Sequence, residues 1–176
     1  GPYPAPIFFI HDRGKTFDEH FDDAFRQLFQ HGYHAIVSIG GDLPAMPVSH
    51  IVQAFQWLDY FDSFSEKGGF VQAPCQECGV SLVGYTAATP MDSDGVFYNP
   101  DGVPALDAYI AKAAERGVPV ARLTPVADVD DMGDMAHMVS LLKAIAYSSR
   151  CQPGLLVARH TLNWIERTGL VITTPP

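Results

Sequence analysis

The chain has 176 residues, 47% hydrophobic and 18% charged, a composition typical of a globular protein and not of a disordered one. Its formal net charge of −9 and the absence of a Lys/Arg cluster argue against binding to nucleic acid or to an anionic membrane surface. No apolar run approaches the roughly 20 residues that a membrane span requires. Three cysteines, an odd number, predict no disulfide framework and favour a reducing, cytoplasmic location.

The first predicted elements are a strand, a helix and a second strand. The apolar run over 5–10 predicts a short strand. In the segment that follows, Thr16 and Glu19 have capping-box spacing and phenylalanines recur at helical intervals, which predicts an amphipathic helix that ends at Gly32. The acidic residues in its first turns suit the positive end of the helix dipole. The nearly continuous apolar run over 34–39 predicts a strand buried on both faces.

The rest of the chain alternates helices and strands. The further predicted elements are a helix over 48–60 opened by Pro47, strands over 69–73 and 79–87, a turn-rich loop over 89–104, a helix over 105–117, a strand over 118–126, and helices within 128–147 and 155–169. This order predicts an α/β fold of three layers, with a mostly parallel sheet and helices on both faces. In such sheets, ligands bind at the carboxyl ends of the strands.

Gly40, Gly41 and Asp42 directly follow the second predicted strand. The glycines would let a ligand approach the backbone, and Asp42 offers oxygen to Mg²⁺ or Mn²⁺. Such hard cations prefer carboxylates and keep phosphate oxygens as further ligands. The alternative is that Asp42 only closes the turn or caps the helix near Pro47, since Asp is a good turn former.

A second acidic group follows the last predicted strand. Asp128 and Asp130 are two positions apart, so they point the same way in an extended segment and could complete a cation site with Asp42. Asp130 or Asp131 could instead cap the helix that follows. Arg13, after the first predicted strand, could meet a phosphate at the same edge or belong to a solvated turn.

Cys75 and Cys78 have the spacing of half a zinc site. A structural zinc needs four ligands, however, and the sequence offers no second pair at the usual spacing. A redox CxxC motif would open a helix, whereas Cys78 leads into a predicted strand. The pattern therefore favours a turn with two thiols.

Four segments resemble, in order, a family of bacterial nucleotide-diphospho-sugar-transferase-like proteins with the glycosyltransferase A fold. The segments are RGKTFDEHFDDAFRQLFQHGYHAIVSIGGDLPAMP, GVSLVGY, SDGVFYN and GVPVARLTPVADVDDMGDM. They are similar to the family's helix and strand ending in Gly-Ser/Thr-Asp, its next glycine-bounded strand, a loop ending in an aromatic residue, and a strand followed by Asp-Val-Asp. The resemblance spans nearly the whole chain.

The resemblance implies that Asp42 binds the divalent cation, Mg²⁺ or Mn²⁺, that holds a nucleotide diphosphate. The expected site comprises Gly40, Gly41, Asp42 and Arg13 for the nucleotide, Asp42 and Asp130 for the cation, and Asp130 and Asp128 for catalysis. The expected reaction is metal-assisted transfer of a sugar from a nucleotide-diphospho-sugar, with the cation neutralising the leaving group.

The sequence departs from the family at its beginning. The family starts with a strand and a basic, glycine-containing loop that has no counterpart here, so we expect one domain over 1–176 that is N-terminally incomplete. Two alternatives stay open. One is a nucleotidyltransferase on the same fold. The other is a degenerate relative that binds a partner, or forms a homodimer, through an unpaired sheet edge.

Overall fold

The computed structural model describes residues 7–173. Over these residues the elements are α1 (Phe17–Gln30), β1 (Ala35–Ile39), α2 (Val48–Asp62), β2 (Phe70–Pro74), a 3₁₀ turn (Gln76–Cys78), β3 (Val80–Thr86), α3 (Ala105–Arg116), β4 (Val120–Arg122), α4 (Met132–Ser148) and α5 (Arg159–Thr168). None of the helices in this part of the chain is long and apolar enough to cross a membrane. Of the strand expected over 5–10, residues 5 and 6 lie outside the described part, and 7–10 form no strand.

The helix ends follow local sequence rules. The Thr16 hydroxyl accepts a hydrogen bond from the Glu19 N–H at 3.2 Å, as the capping pattern predicts for the start of α1. Gly117 ends α3 with a φ of 62°, a left-handed conformation that glycine adopts without strain. These boundaries depend on neighbours in the sequence, and the predictions for them are confirmed.

The sheet has the order β1-β3-β2-β4 and is mixed, so the prediction of a mostly parallel sheet is wrong. β3 runs antiparallel to both β1 and β2, and β2 runs parallel to β4. The reason is the connection between β2 and β3, a tight turn over 75–79. A parallel pair needs a crossover of about a dozen residues or more, so a turn this short forces the two strands to run in opposite directions.

Helices pack against both faces of this sheet. Because alternate strand residues point to opposite faces, Phe70 and Tyr85 pack with α1 and α3, whereas Val71 and Leu82 pack with α2. α4 and α5 pack against each other around Leu142. β1 is less buried than the sequence predicts: only Ile36 is buried, because β1 pairs with β3 alone among the described strands.

The strand directions bring three loops to the same end of the sheet. β1, β2 and β4 run the same way, so the segments that follow them lie at the same end. These segments are 40–47, the turn over 75–79, and 123–131. The backbone N–H of Gly40 donates to the Ser81 carbonyl at 3.2 Å, and that of Val126 donates to the Pro74 carbonyl at 2.9 Å, so the loops are joined where they leave the strands.

Candidate functional site

A cleft of about 450 Å³ lies at this end of the sheet, beside the carboxyl ends of β1, β2 and β4. Its acidic wall comes from the ends of β1 and β4, and includes Asp42, Asp128 and Asp130. Its aromatic wall comes from the start of α1 and from the loop after β3, and includes Phe17 and Tyr98. The turn between β2 and β3 completes it. The fold therefore brings together most of the residues that the sequence singled out, although they lie far apart in the chain.

The carboxylates of the acidic wall lie close enough to repel one another. The pKa of Asp130 is raised, first by the charge of Asp128, then by partial burial and by the charge of Asp42. Asp134 and Glu77 add to the same effect. Since like charges disfavour ionisation, this raised pKa agrees with the placement of Asp42, Asp128 and Asp130 in the lining of one cleft.

Asp42 is exposed and folds back towards the end of β1. A Cβ on Gly40 would lie 2.5 Å from the Asp42 Oδ1, so glycine at position 40 leaves space for this carboxylate. A Cβ added to Gly41 would meet nothing within 4 Å, and Gly41 is not part of the cleft lining. Asp42 does not cap α2, whose N-cap is Pro47 without a side-chain cap bond, so the capping alternative is wrong.

Asp131, and not Asp130, caps α4. The Asp131 carboxylate accepts from the N–H groups of Gly133 and Asp134, at 2.6 and 3.0 Å. Asp134 in turn accepts from the backbone N–H groups of Asp130 and Asp131, at 3.1 and 3.2 Å. Asp130 is thereby held through its backbone, while its exposed side chain lines the cleft.

Arg13 lies away from the cleft lining. Its backbone N–H donates to the Asp23 carboxylate on α1 at 2.9 Å. Among the described residues that line the cleft there is no Lys or Arg. An anionic ligand would thus meet carboxylates with no side-chain cation beside them, and would need a bound cation between the two.

The aromatic wall is held by a buried carboxylate on α1. Asp18 accepts from the backbone N–H groups of Gly95 and Phe97, at 2.9 and 3.0 Å. Tyr98 follows with a φ of 50°; the residue is 90% exposed, and its ring packs edge-on against Phe17. A non-glycine residue in this conformation is strained, and such strain often occurs at ligand sites. The sequence indicated this wall only through the resemblance of SDGVFYN to a loop with an aromatic end.

The two cysteines of the PCQECG segment lie in the turn that the pattern favoured. Glu77 and Cys78 have positive φ values of 58° and 62°. The thiols of Cys75 and Cys78 are both free. Cys75 is half-buried at the cleft, and burial, assisted by the neighbouring Asp128, raises its pKa to about 12. A thiol with this pKa stays protonated near neutral pH and is a poor nucleophile.

The acidic wall offers two exposed carboxylates to a cation, whose other coordination positions water or a ligand would fill. Within residues 7–173 there is no group of three or more His, Cys, Asp or Glu side chains arranged to hold a metal. Mg²⁺ is usually bound by only one or two carboxylates, with waters and phosphate oxygens as the other ligands. Asp42 and Asp130 are exposed, mutually repelling oxygen donors, which is the chemistry that such a cation needs.

Comparison with known proteins supports the family resemblance. The model of a family of uncharacterized proteins conserved in bacteria, DUF2064, matches residues 3–100, which include Asp42 but not Asp128 or Asp130. No curated protein matches. The fold is similar, with a TM-score of 0.65 and 20% identity, to the crystal structure of a putative nucleotide-diphospho-sugar transferase from Desulfovibrio desulfuricans G20. The alignment covers 89% of this chain and 64% of that one, so this chain spans less than two thirds of the other's length.

Proposed function

We propose, from the premise that the chain belongs to the DUF2064 family of bacterial proteins, that its cleft binds a nucleotide-diphospho-sugar with a divalent cation and transfers the sugar to an acceptor hydroxyl. The observation that carries the proposal is the meeting of Asp42 with Asp128 and Asp130 in one cleft. The fold shared with a protein described as a putative nucleotide-diphospho-sugar transferase supports it. In an α/β sheet, the carboxyl ends of the strands are also where ligands usually bind.

Asp42 and Asp130 are the residues that would hold Mg²⁺ or Mn²⁺, because both carboxylates are exposed at the cleft. The cation, when bound, supplies positive charge that neutralises a diphosphate leaving group. Asp128 is half-buried beside Cys75. We assign Asp128 to the proton of the acceptor hydroxyl, because it lines the same cleft as Asp42 and Asp130, which are assigned to the cation.

The transfer itself is a substitution at the anomeric carbon of the sugar. The acceptor oxygen forms a bond to that carbon while the bond to the diphosphate oxygen breaks. The nucleoside diphosphate leaves with the bonding electron pair, and the acceptor proton passes to the Asp128 carboxylate. The rings of Phe17 and Tyr98, which lie edge to face, offer apolar surface against which the sugar ring can pack.

The test is calorimetric titration of the chain with UDP, GDP and CDP, with and without Mn²⁺. We expect one nucleotide to bind only with Mn²⁺, and Asp42→Asn to weaken that binding by about tenfold or more, or ~1.4 kcal/mol. Asp59→Asn, which alters an exposed carboxylate of α2, is the matched control and should bind as the wild type does.

Two results would contradict the proposal. Titrations without heat for all three nucleotides in the presence of Mn²⁺ would mean that the cleft does not bind the donor. Release of pyrophosphate from a nucleoside triphosphate, without sugar transfer, would instead assign the cleft to a nucleotidyltransferase.

A further inference from the structure

We infer that Gln76, in the turn between β2 and β3, is the positioning residue that holds Asp128 and Asp130 opposite Asp42. The inference rests on the proposed function, because the geometry it explains is that of the cation site. Gln76 does not belong to the residues singled out from the sequence. Its role follows from what its side-chain amide contacts.

The side-chain amide of Gln76 forms hydrogen bonds to both the carbonyl and the N–H of Asp128. Its Nε2 donates to the Asp128 carbonyl at 2.8 Å, and its Oε1 accepts from the Asp128 N–H at 3.2 Å. These bonds use one donor and one acceptor of the same side chain. A carboxylate cannot donate and an apolar side chain can do neither, so an amide suits this position.

The second donor of Gln76 reaches the segment that carries Asp130. Nε2 also donates to the Asp134 Oδ1 at 2.9 Å. The other oxygen of that carboxylate, Oδ2, accepts from the Asp130 N–H at 3.1 Å. Gln76 thus holds Asp128 directly and Asp130 through Asp134.

The turn that carries Gln76 is itself tied to the strand that carries Asp42. The turn leads into β3, and the Ser81 carbonyl of β3 accepts from the Gly40 N–H at 3.2 Å. One short turn therefore connects to both halves of the acidic wall. Substitution of Gln76 should therefore change the distance between these two halves while the pairing of the strands stays the same.

Carboxylates of like charge stay close together only if the surrounding structure restrains them. Asp42, Asp128 and Asp130 line one cleft, and carboxylates of like charge repel one another when no cation lies between them. A loop free to move would relax by separating them, and a cation would then have to bring them back at a cost in affinity. Because Gln76 fixes the segment that carries Asp128 and Asp130, its contribution is expected in the affinity for the cation and not only in folding.

The experiment measures Mn²⁺ affinity directly, from the electron paramagnetic resonance signal of free Mn²⁺, without nucleotide and without an activity assay. The variants are Gln76→Met, which keeps the size but loses all three bonds, and Gln76→Asn, which keeps the amide on a shorter side chain. Gln152→Met, at an exposed glutamine beyond α4, is the matched control. Melting in EDTA shows which variants are folded at the temperature of the titration.

We expect Gln76→Met to weaken Mn²⁺ binding by about 10- to 100-fold, the usual effect of losing a residue that orients metal ligands. Gln76→Asn should bind with intermediate affinity, and Gln152→Met as the wild type. If Gln76→Met does not fold, Gln76→Asn decides the matter in the same titration.

Folded variants that bind Mn²⁺ like the wild type would overturn the inference, even if their melting temperatures fall, because Gln76 would then be only a structural tie. A wild-type chain that binds no Mn²⁺ would overturn the cation site of the proposed function. The two failures are therefore distinguishable in one experiment.

Discussion

The aspartates of α1 and those of the cleft lie near the same loops but have different surroundings. Asp18 and Asp22 accept hydrogen bonds from backbone N–H groups of the loop after β3, two of them at 2.9 and 3.0 Å for Asp18. Asp42 and Asp130 are exposed and are repelled by other carboxylates. Acidic residues on a helix and acidic residues after a strand look alike in composition. Their partners show that the first group supports the loop, whereas the second is available to a ligand.

This comparison predicts the largest loss of stability for Asp18→Ala. The substitution removes a buried acceptor and leaves two backbone N–H groups without it, at a cost of about 2–3 kcal/mol. Urea denaturation measures the free energy of unfolding, with Asp59→Ala on the exposed face of α2 as the control. A loss no larger than that of the control would mean that Asp18 does not support the loop.

A smaller and pH-dependent effect is expected for Asp92, which contacts Lys112 and Arg116 at 2.6 Å each. Burial raises the pKa of Asp92, but the hydrogen bonds and charges of these two residues outweigh it and lower the pKa below its ordinary 3.8. A carboxyl whose pKa is lowered in the folded state stabilises the fold above its unfolded pKa and loses that contribution as the pH falls through the folded value.

Asp92→Asn should therefore reduce the free energy of unfolding at pH 7 by up to about 1 kcal/mol, a modest value because Asp92 remains partly exposed. The difference from the wild type should shrink as the pH falls below about 3.8. Thermal melts between pH 7 and pH 2 measure it. A difference that is constant over this range would assign the effect to packing and not to charge.

The smallest effect on stability is expected for Asp42→Asn. Removing one of several repelling carboxylates should leave the free energy of unfolding within about 0.5 kcal/mol of the wild type, or raise it slightly. The same denaturation curves measure it, and Mn²⁺ titration of the same sample should show the lost cation site. Marked destabilisation would place Asp42 with the structural aspartates of α1.

Much of the fold was predictable because it depends on local chemistry. The cap at Thr16, the glycine end of α3 and the turn over 75–79 each follow from residues a few positions apart. The order of strands and helices also placed the segments after β1 and β4 at strand ends, which is why Asp42, Asp128 and Asp130 were candidates. The direction of β3 was open to the same reasoning, since the short turn before it excludes a parallel neighbour.

The partners of each side chain could not be read from the sequence. Asp18 and Asp130 are both acidic residues beside a helix start, yet one accepts N–H groups of a loop some 77 positions away and the other lines the cleft. In the sequence, Gln76 resembles any polar turn residue. Only in the folded structure does it contact Asp128, which lies 52 positions later. Local patterns determined where the helices and turns begin and end, whereas long-range packing determined which polar atoms are satisfied and which are left for a ligand.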